Sequence, residues 1–159
     1  MTVRVMQDPV AIAMMESFGA TPKPMGSTEI YGALQRGNIK GAENNPPTFV
    51  AQQHYEVCKN FTFDHHSRIP DVLTVSSSLW QGLTEQEQNW LLTAARESSV
   101  YQRRLWQQRS DAAVKTMEQQ GVTIYRPNPK LFRDVVAGAA KYEVGGEVET
   151  IKQAIYNHK

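Results

Sequence analysis

The stretch YGALQRGNIKGAENNPP, from Tyr31 to Pro47, combines the end of a helix, a short strand and two amide side chains. Gly37 ends the predicted helix, because glycine readily adopts the left-handed conformation that closes helices, and residues 38–42 form the predicted strand. An acid and two asparagines follow in front of a proline pair, and amides fixed at a strand end suit a small polar ligand. Arg4 lies in a second predicted strand, VRVMQ, and its planar guanidinium can bind a carboxylate through two hydrogen bonds.

The composition is that of an ordinary globular domain. The chain has 159 residues, of which 40% are hydrophobic and 21% charged, enough for one hydrophobic core. A net charge of +1 gives no electrostatic reason to expect nucleic acid or an anionic membrane as a partner. No apolar run is long enough to span a bilayer. The single cysteine, Cys58, excludes an internal disulfide and is interpreted as a small buried hydrophobe.

Alternation of strand and helix patterns predicts an α/β fold. The predicted strands cover residues 3–6, 38–42, 59–67, 72–76 and 122–125, and residues 21–25, with two prolines, are expected to be extended. The predicted helices cover 9–17, 27–37, 47–55, 84–120 and 130–142. A break at Gly145 and Gly146 and a final amphipathic helix follow. The long helix begins with a capping box of Thr84 and Glu87 and ends before Gly121. At about 54 Å it is longer than a domain of this size needs, so a coiled-coil helix that requires a partner is one interpretation.

Six segments in the same order resemble the extracytoplasmic solute-binding proteins of tripartite ATP-independent periplasmic (TRAP) transporters. They are VRVM (3–6), FGATPKPM (18–25), EIYGALQ (29–35), GAENN (41–45), YEVCK (55–59) and the helix that starts at Thr84. The resemblance extends from Arg4 to about Arg126. It implies an α/β, periplasmic-binding-protein type II-like lobe with a long C-terminal helix at about 84–120. Residues 1–159 would then be a single partial domain, the second lobe of a two-lobed protein whose first lobe is missing.

The resemblance also implies a function. A protein of this family captures an organic acid anion, here a sugar acid or a dicarboxylate, and delivers it to a small and a large integral membrane subunit. It is not an enzyme, needs no cofactor and works in the periplasm. No signal peptide precedes the strand of Arg4, so we expect a fragment, a truncated reading frame or a misplaced start codon. The alternative is a truncated lobe that binds no solute and acts as a structural or interaction protein.

Four expected solute-binding residues follow from the same match. Arg4 corresponds to the family's carboxylate-binding arginine, and Asn44 to an asparagine that donates its amide to the same carboxylate. Asn45 is an additional asparagine, found in relatives associated with sugar acids such as uronates, and would bind a solute hydroxyl. Its alternative role is to form a turn before proline. Gln7 corresponds to a polar cleft residue at a strand end.

The fifth expected site residue is His66, which aligns with a histidine near the family's cleft and is interpreted as a hydrogen-bond donor or a packing residue. His65 and His66 do not suggest a metal site, because adjacent residues of a strand point to opposite faces. Glu43 could accept from a solute hydroxyl or form a structural hydrogen bond to the backbone. No nucleophile motif and neither GxxxxGK[ST] nor GxGxxG occurs, so the sequence does not favour catalysis.

Overall fold

A computed structural model describes residues 1–139 together with residues 150, 151, 153, 154 and 157. The chain divides into two compact units, one made of residues 1–43 with the segment from 128 onward, the other of residues 44–127. Strands and helices occur in both units, so the predicted α/β class is confirmed. The prediction of one partial domain stays a prediction.

The first unit is built on a small parallel sheet. Its strands are β1 (Thr2–Val5), β2 (Thr21–Pro24) and β3 (Gly41–Ala42), and β1 lies between the other two. A central parallel strand covered on both faces is normally apolar throughout. Here Val3, Arg4 and Val5 are all buried, so an arginine occupies a core position of the central strand.

Helices of the first unit cover this sheet. Helix α1 (Pro9–Ser17) is capped by Asp8, whose side chain accepts hydrogen bonds from the backbone nitrogens of residues 10 and 11. A 3₁₀ turn leads into α2 (Ile30–Gln35), and α6 (Pro129–Ala139) lies later in the chain. Two buried clusters form the core of the unit: Val3, Val5, Ala11 and Met15, and Met25, Ile30, Ala33 and Ile39.

The second unit contains the longest helix. Its elements are α3 (Pro46–Ala51), a 3₁₀ turn (His54–Glu56), β4 (Asn60–Thr62), α4 (Ser77–Gly82), α5 (Glu85–Gln119) and β5 (Thr123–Tyr125). Strands β4 and β5 pair in parallel, with Phe61 opposite Ile124. Phe49 of α3, Met117 near the end of α5 and Val122 just before β5 form the buried core of this unit.

Both ends of α5 follow the sequence prediction. Thr84 Oγ1 accepts from the Glu87 backbone nitrogen, and the Glu87 carboxylate accepts from the Thr84 backbone nitrogen at 2.8 Å, which completes the capping box. At the other end Gly121 has a φ of 72°, a conformation that costs any other residue energy. Its backbone nitrogen donates to the carbonyl of Glu118 and so closes the helix.

The prediction of a strand at residues 72–76 is wrong. This segment has no regular structure, and Val72 and Leu73 are exposed. Alternating β-branched residues do not make a strand unless a neighbouring strand completes the hydrogen bonds, and none of the described strands pairs with this segment.

Three further boundaries differ from the predictions. The predicted strand at 59–67 ends at Thr62, and His65 adopts a left-handed φ of 54° soon after. The predicted helix at 47–55 ends at Ala51, because Gln53 is also left-handed, with a φ of 55°. Helix α6 is described to Ala139, and its predicted end at residue 142, the glycine break and the final helix lie outside the described residues.

Most of α5 is exposed. Ala113 and Met117 are its buried residues, whereas Leu91, Tyr101 and Trp106 on the same broad side of the helix are 45%, 54% and 45% exposed. None of the described helices combines the length and the apolar character needed to cross a membrane. Exposed apolar residues along one side of a water-facing helix favour association.

We therefore expect the isolated chain to self-associate, and Leu91→Asp to reduce this association. Light scattering over a range of concentrations measures it. The matched control is Asn89→Asp, which adds the same charge about 200° away around the helix axis and leaves the apolar side intact. A monomer at all concentrations, or equal effects of both variants, would contradict the role of the apolar side.

Candidate functional site

The first group of candidate residues lies where the parallel strands of the first unit end. Ligands of parallel sheets commonly bind beyond the carboxyl ends of the strands. Arg4 is the penultimate residue of β1, and Gln7 lies two residues beyond the end of that strand. Glu43 follows β3 directly. Gln7 is exposed, whereas Arg4 is buried. The β1 and β3 strands are neighbours, so their pairing brings Arg4 and Glu43 to one edge of the sheet.

Two of the three guanidinium nitrogens of Arg4 are bound by the chain itself. Its Nε donates to the carbonyl oxygen of Met25 at 3.0 Å, and its Nη1 donates to Oε1 of Glu43 at 2.8 Å. The side chains of Arg4 and Glu43 are 8% and 15% exposed. A charge-assisted pair shielded from water holds the guanidinium in one orientation.

The third nitrogen of Arg4, Nη2, donates no hydrogen bond to any described residue. Nη2 is not among the buried side-chain atoms that lack a hydrogen-bond partner, so this nitrogen can donate to an acceptor supplied from outside the chain. The sequence predicted that the fork of Arg4 would bind a solute carboxylate. It did not predict that Glu43 already occupies part of the fork. The available signal was the position of Glu43 directly after the strand predicted at residues 38–42.

Asn44 and Asn45 lie together at the start of α3 in the second unit. Oδ1 of Asn44 accepts from the backbone nitrogen of Asn45 at 3.0 Å, and Oδ1 of Asn45 accepts from the backbone nitrogen of Thr48 at 2.9 Å. Asn45 is therefore the N-cap of α3, which is its alternative, structural role. The amide nitrogens of both asparagines donate to no described residue, so both keep donors for a ligand. Their binding to a solute stays a prediction.

His66 pairs with Asp64 beyond the end of β4. Nδ1 of His66 lies 2.6 Å from Oδ1 of Asp64, and the two side chains are 16% and 24% exposed. Because the strand ends at Thr62, the argument that His65 and His66 point to opposite faces of a strand does not apply. Among the described residues no group of three or more histidines, cysteines and acids is close enough to hold a metal ion.

The carboxyl group of Asp64 has a shifted pKa. Burial raises the pKa of Asp64, but the hydrogen bond and charge of His66, with backbone hydrogen bonds, outweigh burial and lower it below its usual range. Asp64 is therefore ionised at neutral pH and acts only as an acceptor. The pair is a fixed polar feature at the carboxyl end of a parallel strand.

An open groove of about 530 Å³ lies between α3 and α5 in the second unit. Its lining is mainly apolar and also includes the polar residues Thr48, Gln52, Arg109 and Thr116. None of the five predicted site residues lines it. The groove therefore does not belong to the candidate solute site.

Comparisons with known proteins add an independent observation. The model of the family described as bacterial extracellular solute-binding protein, family 7 (DctP), matches residues 1–142. The chain belongs to this family. The TRAP resemblance seen in the sequence is thus confirmed.

Similarity to individual proteins supports the assignment of this chain to the family. An uncharacterised protein, YiiZ, of Salmonella typhimurium is 34% identical over 84% of this chain and 41% of its own length. The C4-dicarboxylate-binding periplasmic protein DctP of Rhodobacter capsulatus is 31% identical, over 76% of this chain and 36% of its own. A TRAP periplasmic solute-binding protein of Citrobacter koseri with bound D-glucuronate is 36% identical, with a TM-score of 0.84 over 100% of this chain and 52% of that structure.

The matched region is only part of these relatives. The chain spans about half the length of the solved structures and 36–41% of the two curated relatives. The relatives named for a function are solute-binding transport proteins, not enzymes. Other similar TRAP structures have D-glucuronate or β-D-galacturonate bound.

The candidate site residues of this chain form three local groups. The first is Arg4 with Glu43, near the exposed Gln7; the second is Asn44 with Asn45; the third is His66 with Asp64. Sequence analysis found one or more members of each group. It missed Asp64, although a carboxylate two residues from a candidate histidine is a signal that sequence can provide.

Replacing Glu43 tests the first group. We expect Glu43→Gln to lower the free energy of unfolding by about 3 kcal/mol, because the buried charge of Arg4 then loses its ionic partner. Chemical denaturation measures the change. Glu16→Gln, at an exposed position of α1, is the matched control and should change stability little. Equal stabilities of the two variants would mean that the Arg4–Glu43 pair does not hold the fold.

The low pKa of Asp64 predicts a pH dependence of stability. A carboxyl group whose pKa is lower in the folded state stabilises the fold above its unfolded pKa, and this stability is lost as pH falls through the folded value. Asp64→Asn lacks this contribution. The difference in unfolding free energy between the wild type and Asp64→Asn should therefore shrink from about pH 5 downward. A difference that stays constant to strongly acidic pH would contradict the shifted pKa.

Proposed function

We propose that this chain contributes the carboxylate-binding part of a TRAP transporter's solute-binding subunit and that its solute is a sugar acid. The observation that carries the proposal is Arg4, a buried arginine on the central strand of a parallel sheet with Nη2 uncommitted among the described residues. Arginine stays charged at every relevant pH and binds carboxylates with defined geometry.

The ion pair with Glu43 defines what kind of acceptor fits. Because Glu43 neutralises Arg4, an arriving anion meets a pair without net charge and is held by directed N–H donors. Nη2 of Arg4 can donate while the pair stays intact, and Nη1 becomes available if Glu43 moves aside. The full two-nitrogen fork is thus offered only when the solute carboxylate replaces Glu43.

Uncommitted amide donors favour a hydroxylated acid. Asn44 and Asn45 each keep an amide nitrogen that donates to no described residue. A sugar acid carries several hydroxyl groups that can accept from such donors, whereas succinate offers only the oxygens of its two carboxylates. The D-glucuronate bound in the Citrobacter koseri relative supports a sugar acid, while the name of the Rhodobacter capsulatus relative supports a dicarboxylate as the second candidate.

The transport setting follows from the family. The chain would work in the periplasm and deliver its solute to a small and a large integral membrane subunit, with closure around the solute before delivery. Binding and release require no chemistry, so neither a catalytic residue nor a cofactor is proposed. The second candidate function, an interaction protein without a solute, is favoured by one observation, the exposed apolar side of α5.

Substitution of Arg4 tests the proposal directly. In a chimera of this chain with the unmatched half of the Citrobacter koseri relative, we expect Arg4→Lys to weaken D-glucuronate binding more than tenfold, or by about 1.4 kcal/mol or more. Lysine keeps the charge but loses the planar fork. Calorimetric titration measures the affinity. Arg36→Lys, at an exposed position of the same unit, is the control and should bind as the wild type does.

Solute class is tested by thermal shifts. The chimera should be stabilised more by D-glucuronate and D-galacturonate than by succinate or malate, because ligands that bind the folded state raise the melting temperature according to their affinity. A clear shift with succinate and none with any sugar acid would assign the site to dicarboxylates. Absence of any shift with either class would favour the interaction protein.

A further inference from the structure

The middle of α5 is a long helical stretch that faces water. Near its carboxyl end α5 packs on the core of the second unit through Ala113 and Met117. Of residues 89–104, by contrast, all except Ala95 are exposed. We propose that this stretch binds the same stretch of a second copy of the chain, as an antiparallel coiled coil. The inference goes beyond the proposed function, and its tests involve no solute.

One side of this stretch has the residue spacing of a coiled coil. The contact positions of a coiled coil, called a and d, recur at alternating intervals of three and four residues. The residues of α5 with this spacing are Leu91, Ala94, Ser98, Tyr101 and Leu105. All five are small or largely apolar, and about half of the surface of Leu91 and of Tyr101 is exposed. This side is therefore available for contact with another helix.

The charges along α5 identify the second helix and its direction. Residues 85–99 contain three acids and one arginine, whereas residues 100–114 contain three arginines and one acid. In a parallel pair each of these halves would meet its own copy, so like charges would face each other. In an antiparallel pair centred between residues 99 and 100, the acidic half of one helix lies against the basic half of the other. A second copy of α5 thus complements the charge of the first.

The same centre of symmetry places large side chains against small ones. Leu105 of each copy faces Ala94 of the other, and Tyr101 faces Ser98. Facing positions that alternate large and small side chains interdigitate, which allows two helices to pack closely. The packing of the side chains and the order of the charges therefore favour one and the same register.

Glu97 and Arg104 lie beside this contact, each directly before one of its residues. Both are exposed, and neither forms an ion pair with another residue that the structure describes. In the antiparallel register, Glu97 of each copy faces Arg104 of the other, so the dimer has two equivalent ion pairs. An open hollow of about 390 Å³, lined by both residues together with Val100 and Tyr101, leaves room for the side chains of the second copy.

Charge reversal tests these ion pairs in the chain as it stands. Sedimentation measures the dissociation constant of the dimer. We expect Glu97→Arg and Arg104→Glu each to raise this constant about tenfold or more, because two attractive pairs become repulsive. An equimolar mixture of the two variants should bind as tightly as the wild type, because both pairs of the mixed dimer are attractive again. The control is Arg103→Glu, which makes the same change on the outer side of the coiled coil and should have little effect.

Four results of this experiment would overturn the inference. They are a wild type that is monomeric at every concentration, equal effects of Arg103→Glu and Arg104→Glu, no effect of either reversal at Glu97 and Arg104, and a mixture that binds no more tightly than the single variants. Circular dichroism shows whether each variant retains the helix.

Disulfide cross-linking tests the direction of the helices even if a charge variant fails to fold. Cys58→Ser removes the natural thiol, and Ala94→Cys or Leu105→Cys is then added. A mixture of the two chains should form a disulfide between them, because these positions face each other in the antiparallel register. Ala94→Cys alone should stay reduced. A disulfide between two copies of Ala94→Cys, or none in the mixture, would overturn the antiparallel arrangement.

Discussion

The charge of Arg4 inside the sheet of the first unit is the constraint that determines how the edge of this sheet is built. A guanidinium cannot lose its proton to escape burial, so every buried nitrogen needs an acceptor. The chain provides a carbonyl oxygen after β2 and a carboxylate after β3, one from each strand that flanks β1. The parallel order of the strands brings both acceptors to the same edge as the arginine.

This arrangement gives the site two properties at once. The fold is stabilised by the pairing of Arg4 with Glu43, and the same pairing keeps the guanidinium in a defined orientation for a ligand. Under the proposed function, a solute carboxylate would compete with Glu43 for part of the fork. Such competition would favour release of the solute as well as its capture.

Local signals explain which parts of the fold could be predicted from the sequence. The ends of α5 depend on Thr84, Glu87 and Gly121, whose interactions involve residues three or four positions away, and they were predicted correctly. The strand expected at residues 72–76 depended on a neighbouring strand, which no local pattern reveals. The pairing of Arg4 with Glu43 connects positions 39 residues apart, so it required the strand order of the sheet.

In the candidate site, too, some features could be predicted from the sequence and others could not. Arg4, Asn44, Asn45, Gln7 and His66 were selected by resemblance to a family, and the family itself is confirmed. The left-handed conformation of His65 could not be predicted from the sequence, because histidine adopts it more often than most residues but still uncommonly. The pairing of Asp64 with His66 depends on that turn, and it changed the interpretation of both histidines.

A crystal structure with bound D-glucuronate tests the central claim most directly. The solute carboxylate should lie within hydrogen-bond distance of Nη2 of Arg4, with the contact between Nη1 and Glu43 either kept or replaced by a second solute oxygen. A bound solute whose carboxylate contacts neither nitrogen of Arg4 would contradict the account.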